Sequence, residues 1–143
     1  MVDDEVLEWL RKAHQTTTWT VSVRTGALIL GAAGILKGLP ATTHWYKMSV
    51  LRIMSAKPQH GERIVQSGKI VTAAGVSAGI DMALTLLARM HGPEIAMGVQ
   101  LAVEYDPRPP FDTGSPSKAP AEIVEFVRSQ LDALGAPEPT SSG

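Results

Sequence analysis

The stretch 19–36 constrains the fold of this chain more than any other. Trp19-Thr-Val-Ser-Val23 is β-branched and alternating, and reads as a strand. From Thr25 to Leu36 the residues are rich in Ala, Leu and Ile and carry no charge, which reads as a buried helix, with Lys37 in its last turn and Gly38 as its C-terminal cap. A strand that runs straight into a buried helix belongs in a sheet with helices packed on its faces. The tight turn between them exposes its apex side chain at the C-terminal edge of the sheet, where α/β enzymes place nucleophiles. The apex here is Arg24.

The flanking segments extend this α/β reading. Asp3 and Asp4 open an amphipathic helix over residues 3–14, with Val6, Leu10 and Ala13 at helical spacing. Residues 40–43 read as a short strand and 46–56 as a second amphipathic helix, which Pro58 stops. The runs 62–66 and 69–73 flank Ser67-Gly68 as a β-hairpin. Gly75 leads into a helix with a stripe of Ile80, Leu84, Leu87 and Met90, ended by Gly92. Pro93 opens another helix to about residue 105. Residues 106–120 hold five prolines and read as an irregular loop. Ile123, Val127, Leu131 and Leu134 mark a last helix capped by Gly135, so that residues 1–135 form one domain and 136–143 a disordered tail. Strands are few for a parallel sheet, and the chain opens on a helix with no strand before it.

Composition removes several function classes. The chain has 143 residues, 13 of them Lys or Arg, and a formal net charge of −1. The basic residues are scattered, which gives no electrostatic case for nucleic acid or for a membrane surface. Cysteine is absent, so disulfides, thiolate metal sites and thiol nucleophiles are excluded. The acidic N-terminus does not resemble a signal peptide, and the apolar run 27–36 is too short to span a bilayer; cytoplasmic is the expected location.

Three places invite chemistry. At the elbow, Arg24 stays protonated and cannot act as nucleophile or base; with Thr25, Gly26 and the helix start it suits a small anion instead. An exposed surface arginine is the plainer reading. Gly75-Val-Ser77-Ala-Gly79 matches Gly-x-Ser-x-Gly between a predicted strand and helix. Its triad partners fail, because Asp81 and His91 lie on the same helix, and an N-cap serine is the simpler account. The four histidines show no metal-ligand spacing. His44 follows a predicted strand and is the candidate for the same sheet edge as the elbow, although a packed, hydrogen-bonded histidine is the plainer reading there. Gly31 to Gly34 lacks both the P-loop and the dinucleotide pattern.

These motifs carry a resemblance. Ser22-Val-Arg-Thr-Gly-Ala-Leu-Ile-Leu-Gly-Ala-Ala-Gly-Ile-Leu-Lys-Gly38 resembles the elbow and helix of the ThiJ/PfpI superfamily, which is class I glutamine amidotransferase-like. Ala41-Thr-Thr-His-Trp45 and Val71-Thr-Ala-Ala-Gly-Val-Ser-Ala-Gly-Ile-Asp81 follow in order. Gln100 to Pro116 resembles the isonitrile hydratase branch. AraC-type regulators with an amidotransferase-like domain share the first three motifs.

The resemblance implies a flavodoxin-like three-layer α/β/α sandwich, usually a homodimer. It implies addition of water to an isonitrile, giving an N-substituted formamide, with no metal or organic cofactor. In the family an elbow cysteine attacks the isonitrile carbon, the following threonine helps to bind, and an acid near the start of the domain manages protons. Carried over, the cysteine position is Arg24 and Thr25 matches. The acid has no counterpart, which implies that the chain starts after the family's first βαβ units. An inactive or impaired hydratase-like protein is expected. The alternatives are a non-catalytic anion-binding or assembly module, a relative of the AraC-type regulators and, remotely, a serine hydrolase using Ser77. Uncovered sheet surface would favour self-association.

Overall fold

The computed structural model describes residues 3–135, which form two compact units divided between Pro107 and Arg108. The first unit begins with α1 (Asp4–Thr16), whose N-cap Asp3 accepts a hydrogen bond from the Glu5 N–H. Strand β1 (Thr20–Val23) then runs into α2 (Gly26–Ala32). Strand β2 (Pro40–Ala41), a 3₁₀ turn at Trp45–Lys47, α3 (Met48–Ile53) and β3 (Lys57–Pro58) follow. The hairpin β4 (Ile64–Ser67) and β5 (Ile70–Ala73) leads to α4 (Val76–His91) and α5 (Pro93–Ala102). The second unit holds the loop and α6 (Ala121–Gly135), which buries no residue.

The main sheet has the order β1-β5-β4, with β1 and β5 parallel and β4 and β5 antiparallel. A second, two-stranded sheet pairs β2 and β3 in parallel. Side chains alternate across the main sheet and feed two cores. Ile70 joins Ala27, Leu30, Leu36, Met48 and Leu51 beneath α2 and α3. Val71 and Ala73 join Ala78 and Met82 beneath α4. Helices therefore lie on both faces, the expected three-layer α/β/α arrangement.

Several boundaries differ from those expected. Helix α2 stops at Ala32 rather than residue 36, because Gly34 takes a φ of 79° and closes a Schellman motif. The Ile35 N–H reaches the Leu30 carbonyl at 3.0 Å and the Gly34 N–H the Gly31 carbonyl at 2.9 Å. Gly38 is thus not the cap; its N–H bonds to the Ser55 carbonyl at 2.7 Å. The segment expected as one helix over 46–56 divides into the 3₁₀ turn and α3. Pro58 does more than stop a helix. It lies in β3, where the N–H groups of Lys57 and Gln59 donate to the carbonyls of Leu39, just before β2, and Ala41, and the missing Pro58 N–H is not needed. In the hairpin the turn residues are Gly68 and Lys69, one position later than expected. Gly68 has a φ of 58° and Lys69 does not have a positive φ, the type II′ pattern.

The stripe expected on α4 is also displaced. Ala78 and Met82 are buried and Leu86 packs beside them, while Ile80 and Met90 are exposed. Both rows satisfy helical periodicity, and contact with β5 selects the row that begins at Ala78. The expected tail, residues 136–143, lies outside the described residues.

Candidate functional site

The elbow places Arg24 at the end of β1 with a φ of 56°, the left-handed region that residues with a Cβ seldom occupy. Its backbone is held from two sides. The Arg24 N–H donates to the Ala73 carbonyl at 2.9 Å, extending the parallel ladder, and Thr43 Oγ1 donates to the Arg24 carbonyl at 2.6 Å. Thr25 is the N-cap of α2, with no hydrogen bond from its side chain, and both Arg24 and Thr25 are exposed. A Cβ added at Gly26 would lie 3.5 Å from Ser22 Cβ, an ordinary contact, so the approach of α2 to the strand does not require a glycine there.

His44 comes to the same end of the sheet through Thr43. It is half-buried, precedes the 3₁₀ turn and lies with its ring centroid 5.6 Å from that of Trp45. Burial, and then the Arg24 charge, lower its pKa below the usual histidine value, so the neutral ring is favoured. The structure thus brings Arg24, Thr25, Gly26 and His44 together at one sheet edge. It offers an exposed guanidinium beside a neutral imidazole, with no thiol. Helix α2 has only seven residues, so any anion held there would depend on the guanidinium rather than on helix dipoles.

Ser77 is not an N-cap, as the sequence suggested. Gly75 caps α4 with extended backbone, and Ser77 is the second helical residue. Its hydroxyl accepts from Arg63 Nη2 at 3.2 Å. His91 stands at the far end of α4, about 21 Å away at 1.5 Å per residue. No Ser–His pair forms.

Two groupings were not foreseen. The first is a seam of buried threonines. The Thr42 N–H donates to Thr72 Oγ1 at 2.9 Å, Thr42 Oγ1 donates to the Glu62 carbonyl at 2.9 Å, and Thr43 binds the Arg24 carbonyl. This seam ties the small sheet to the main one directly under the elbow. Thr42-Thr43 after a strand was the available signal, since adjacent hydroxyls there suit bonds to neighbouring backbone. The second centres on Asp81, which forms an ion pair with Arg63 and accepts from the Tyr105 hydroxyl at 2.8 Å. Sequence separation hid this group. Among the described residues no three His, Asp or Glu side chains converge as a metal site, and no helix is long and apolar enough to cross a membrane.

Residues 1–89 match the DJ-1/PfpI family. The chain belongs to that family. It is 43% identical over 130 residues to an isonitrile hydratase of Pseudomonas putida, covering 91% of this chain and 57% of the hydratase. It is 31% identical over 99 residues to the HTH-type transcriptional regulator CdhR of Pseudomonas aeruginosa, covering 68% of this chain and 30% of the regulator. Among solved structures, a ThiJ/PfpI family protein from Pseudomonas syringae superposes with a TM-score of 0.86 at 37% identity, over 92% of this chain and 54% of that one. Drosophila melanogaster DJ-1beta shares the fold, with a TM-score of 0.63 at 17% identity over 71% of this chain and 54% of that one. The chain therefore spans about half the length of the hydratase and of the syringae protein.

Proposed function

We propose that this DJ-1/PfpI chain is an isonitrile hydratase-type protein whose covalent chemistry is lost. The observation that carries the reading is Arg24 at the strained elbow, with a φ of 56°, the position that the resemblance assigns to the nucleophilic cysteine. The identity to the Pseudomonas putida hydratase supports the substrate class. Hydration adds the elements of water across the terminal carbon of R–N≡C, giving R–NH–CHO. The covalent route needs a thiolate to attack that carbon and an acid to deliver a proton to nitrogen. A guanidinium has no lone pair to offer at neutral pH, and the chain has no cysteine. Thr25 stays beside the apex as a hydroxyl that makes no capping bond to α2, with no activating partner among the described residues.

The test is formamide production from alkyl and aryl isonitriles by the purified chain and by Arg24→Cys. Neither should turn over measurably, because the family's acid has no counterpart among these residues. Formation of formamide by the unmodified chain at a rate near that of a cysteine-bearing relative would sink the proposal. Substantial turnover by Arg24→Cys would show that no further group is missing.

The similarity to CdhR favours a second reading, in which the domain binds a ligand without converting it. The exposed Arg24 beside a neutral His44 suits a small anion. Calorimetry with phosphate and small carboxylates tests this, and an affinity unchanged in Arg24→Ala would exclude it.

A further inference from the structure

We infer that the groove between the edge strand β4 and helix α4 is a binding site for a short-chain aliphatic monocarboxylate, with Arg89 taking the carboxylate. The groove stands apart from the elbow, and the inference does not depend on what Arg24 does. Its walls come wholly from β4, β5 and α4, within the first unit.

Strand register places these walls. Cross-strand partners in an antiparallel pair share a face of the sheet, so Ile64 and Gln66 of β4 stand on the same side as Ala73 and Val71 of β5. That is the face covered by α4, which starts beyond the end of β5 and packs back along it through Ala78 and Met82. Small side chains serve the first turn of the helix, where Ala73 and Ala78 are 0% and 2% exposed. Further along, the larger Val71, Met82 and Leu86 take over. At that level β4 supplies Gln66 rather than an apolar side chain, and Gln66 is exposed. A cavity of about 240 Å³ is left between strand and helix, with Ile64, Val71, Met82 and Leu86 as its apolar floor.

The rim selects the headgroup. None of the lining residues is acidic. Arg89 follows Leu86 by three positions on α4, a spacing that brings both to one side of the helix. It is exposed and has no hydrogen bond or ion pair among the described residues. Thr85 Oγ1 already donates to the Asp81 carbonyl at 2.8 Å. Gln66 Nε2 donates to the Gly68 carbonyl at 2.9 Å and keeps a second N–H to offer. One full positive charge and a spare amide donor therefore stand over an apolar floor. This combination attracts an anionic acceptor and repels an ammonium group. The planar fork of the guanidinium matches the two oxygens of a carboxylate. The cavity is smaller than the roughly 300–1,000 Å³ typical of pockets for drug-sized ligands, which restricts the tail to a short chain.

The test titrates the whole chain, labelled at its backbone amides and methionine methyls, with hexanoate, acetate, 1-hexanol and hexylamine, followed by nuclear magnetic resonance. Hexanoate should move the Met82 methyl and the Gln66 and Leu86 amides saturably. Acetate should bind about tenfold more weakly for want of buried methylenes, and hexylamine more weakly than 1-hexanol. Arg89→Gln leaves the floor intact and should weaken hexanoate about fivefold without changing 1-hexanol. Gln66→Phe fills the groove from the edge strand and should abolish the shifts. Should that variant fold poorly, Arg89→Gln carries the test alone, since Arg89 is exposed. Three results would overturn the inference. One is no saturable movement at Met82. Another is hexanoate binding that 1-hexanol equals and Arg89→Gln does not weaken. The third is movement confined to residues around Arg24 and His44, which puts the carboxylate at the elbow. Each is read at atoms of the groove, independently of any hydration assay.

Discussion

Replacing Arg24 by glycine and, separately, by alanine isolates the strain at the elbow. The residue sits at a φ of 56°. For a residue with a Cβ this region costs about 1–2 kcal/mol. Glycine escapes that cost but loses about 0.4–1 kcal/mol through the greater freedom of its unfolded chain. The difference leaves Arg24→Gly more stable than Arg24→Ala by roughly 0.5–1 kcal/mol, the reverse of the usual order within strands or helices. Both variants lack the guanidinium, so its effect on His44 cancels. The bonds from Arg24 to Ala73 and from Thr43 to Arg24 use backbone atoms and persist in both. Urea unfolding followed by circular dichroism reads the difference as a midpoint shift of a few tenths molar, for slopes of about 1–3 kcal/mol per molar. An alanine variant as stable as the glycine variant would refute the claim that the turn imposes its backbone on whatever residue occupies it.

Further outcomes follow from other sites. Leu51, fully buried in the core beneath α2, should cost about 2–5 kcal/mol when changed to alanine, measured by the same unfolding. The pKa values of His14 and His44 are both lowered in the fold, His14 by burial and then Lys69, His44 by burial and then Arg24. The unfolded chain therefore binds protons first as pH falls through the ordinary histidine value near 6.5, and stability should decline below that pH until the folded histidines also titrate. His44→Gln should flatten part of that decline, and an unchanged profile in a His14→Gln/His44→Gln double variant would contradict it. Tyr105 has its pKa raised above the usual value, first by its hydrogen bond to Asp81. With only two tyrosines in the chain, ultraviolet titration should show one phenol moving down in Asp81→Asn. A Cβ at Gly79 would lie 2.9 Å and 3.0 Å from the two methyl carbons of Val23. Gly79→Ala should therefore lose most or all of the roughly 1 kcal/mol that alanine normally adds to a helix, with restoration in the Val23→Ala background.

Much of the fold was legible because local chemistry and tertiary contact agree. The β-branched run before Arg24 and Pro93 opening α5 each have a single satisfactory local structure, and the hairpin was legible apart from a one-residue shift of its turn. Disagreement arose where two solutions were locally equivalent. Helix α4 offers two apolar rows, and only the position of β5 chooses between them. Gly34 and Gly38 both suit a helix end, and the 6→1 bond from Ile35 to Leu30 selects the earlier one. The candidate site was legible in part: Arg24 at the apex and His44 at the same edge follow from strand-end logic. The ion pair between Arg63 and Asp81 did not, since a contact across 18 positions leaves no periodic trace.

The threonine seam under the elbow has a consequence for how the family can change. The hydroxyls of Thr43 and Thr72 and the carbonyl of Arg24 hold the turn without consulting the apex side chain. Chemistry and architecture are thereby uncoupled at one position. The apex side chain can be exchanged and the frame kept, and a protein engineer can use that position to install a reagent, for instance a selenol or a metal-binding side chain, on a support already built to present it.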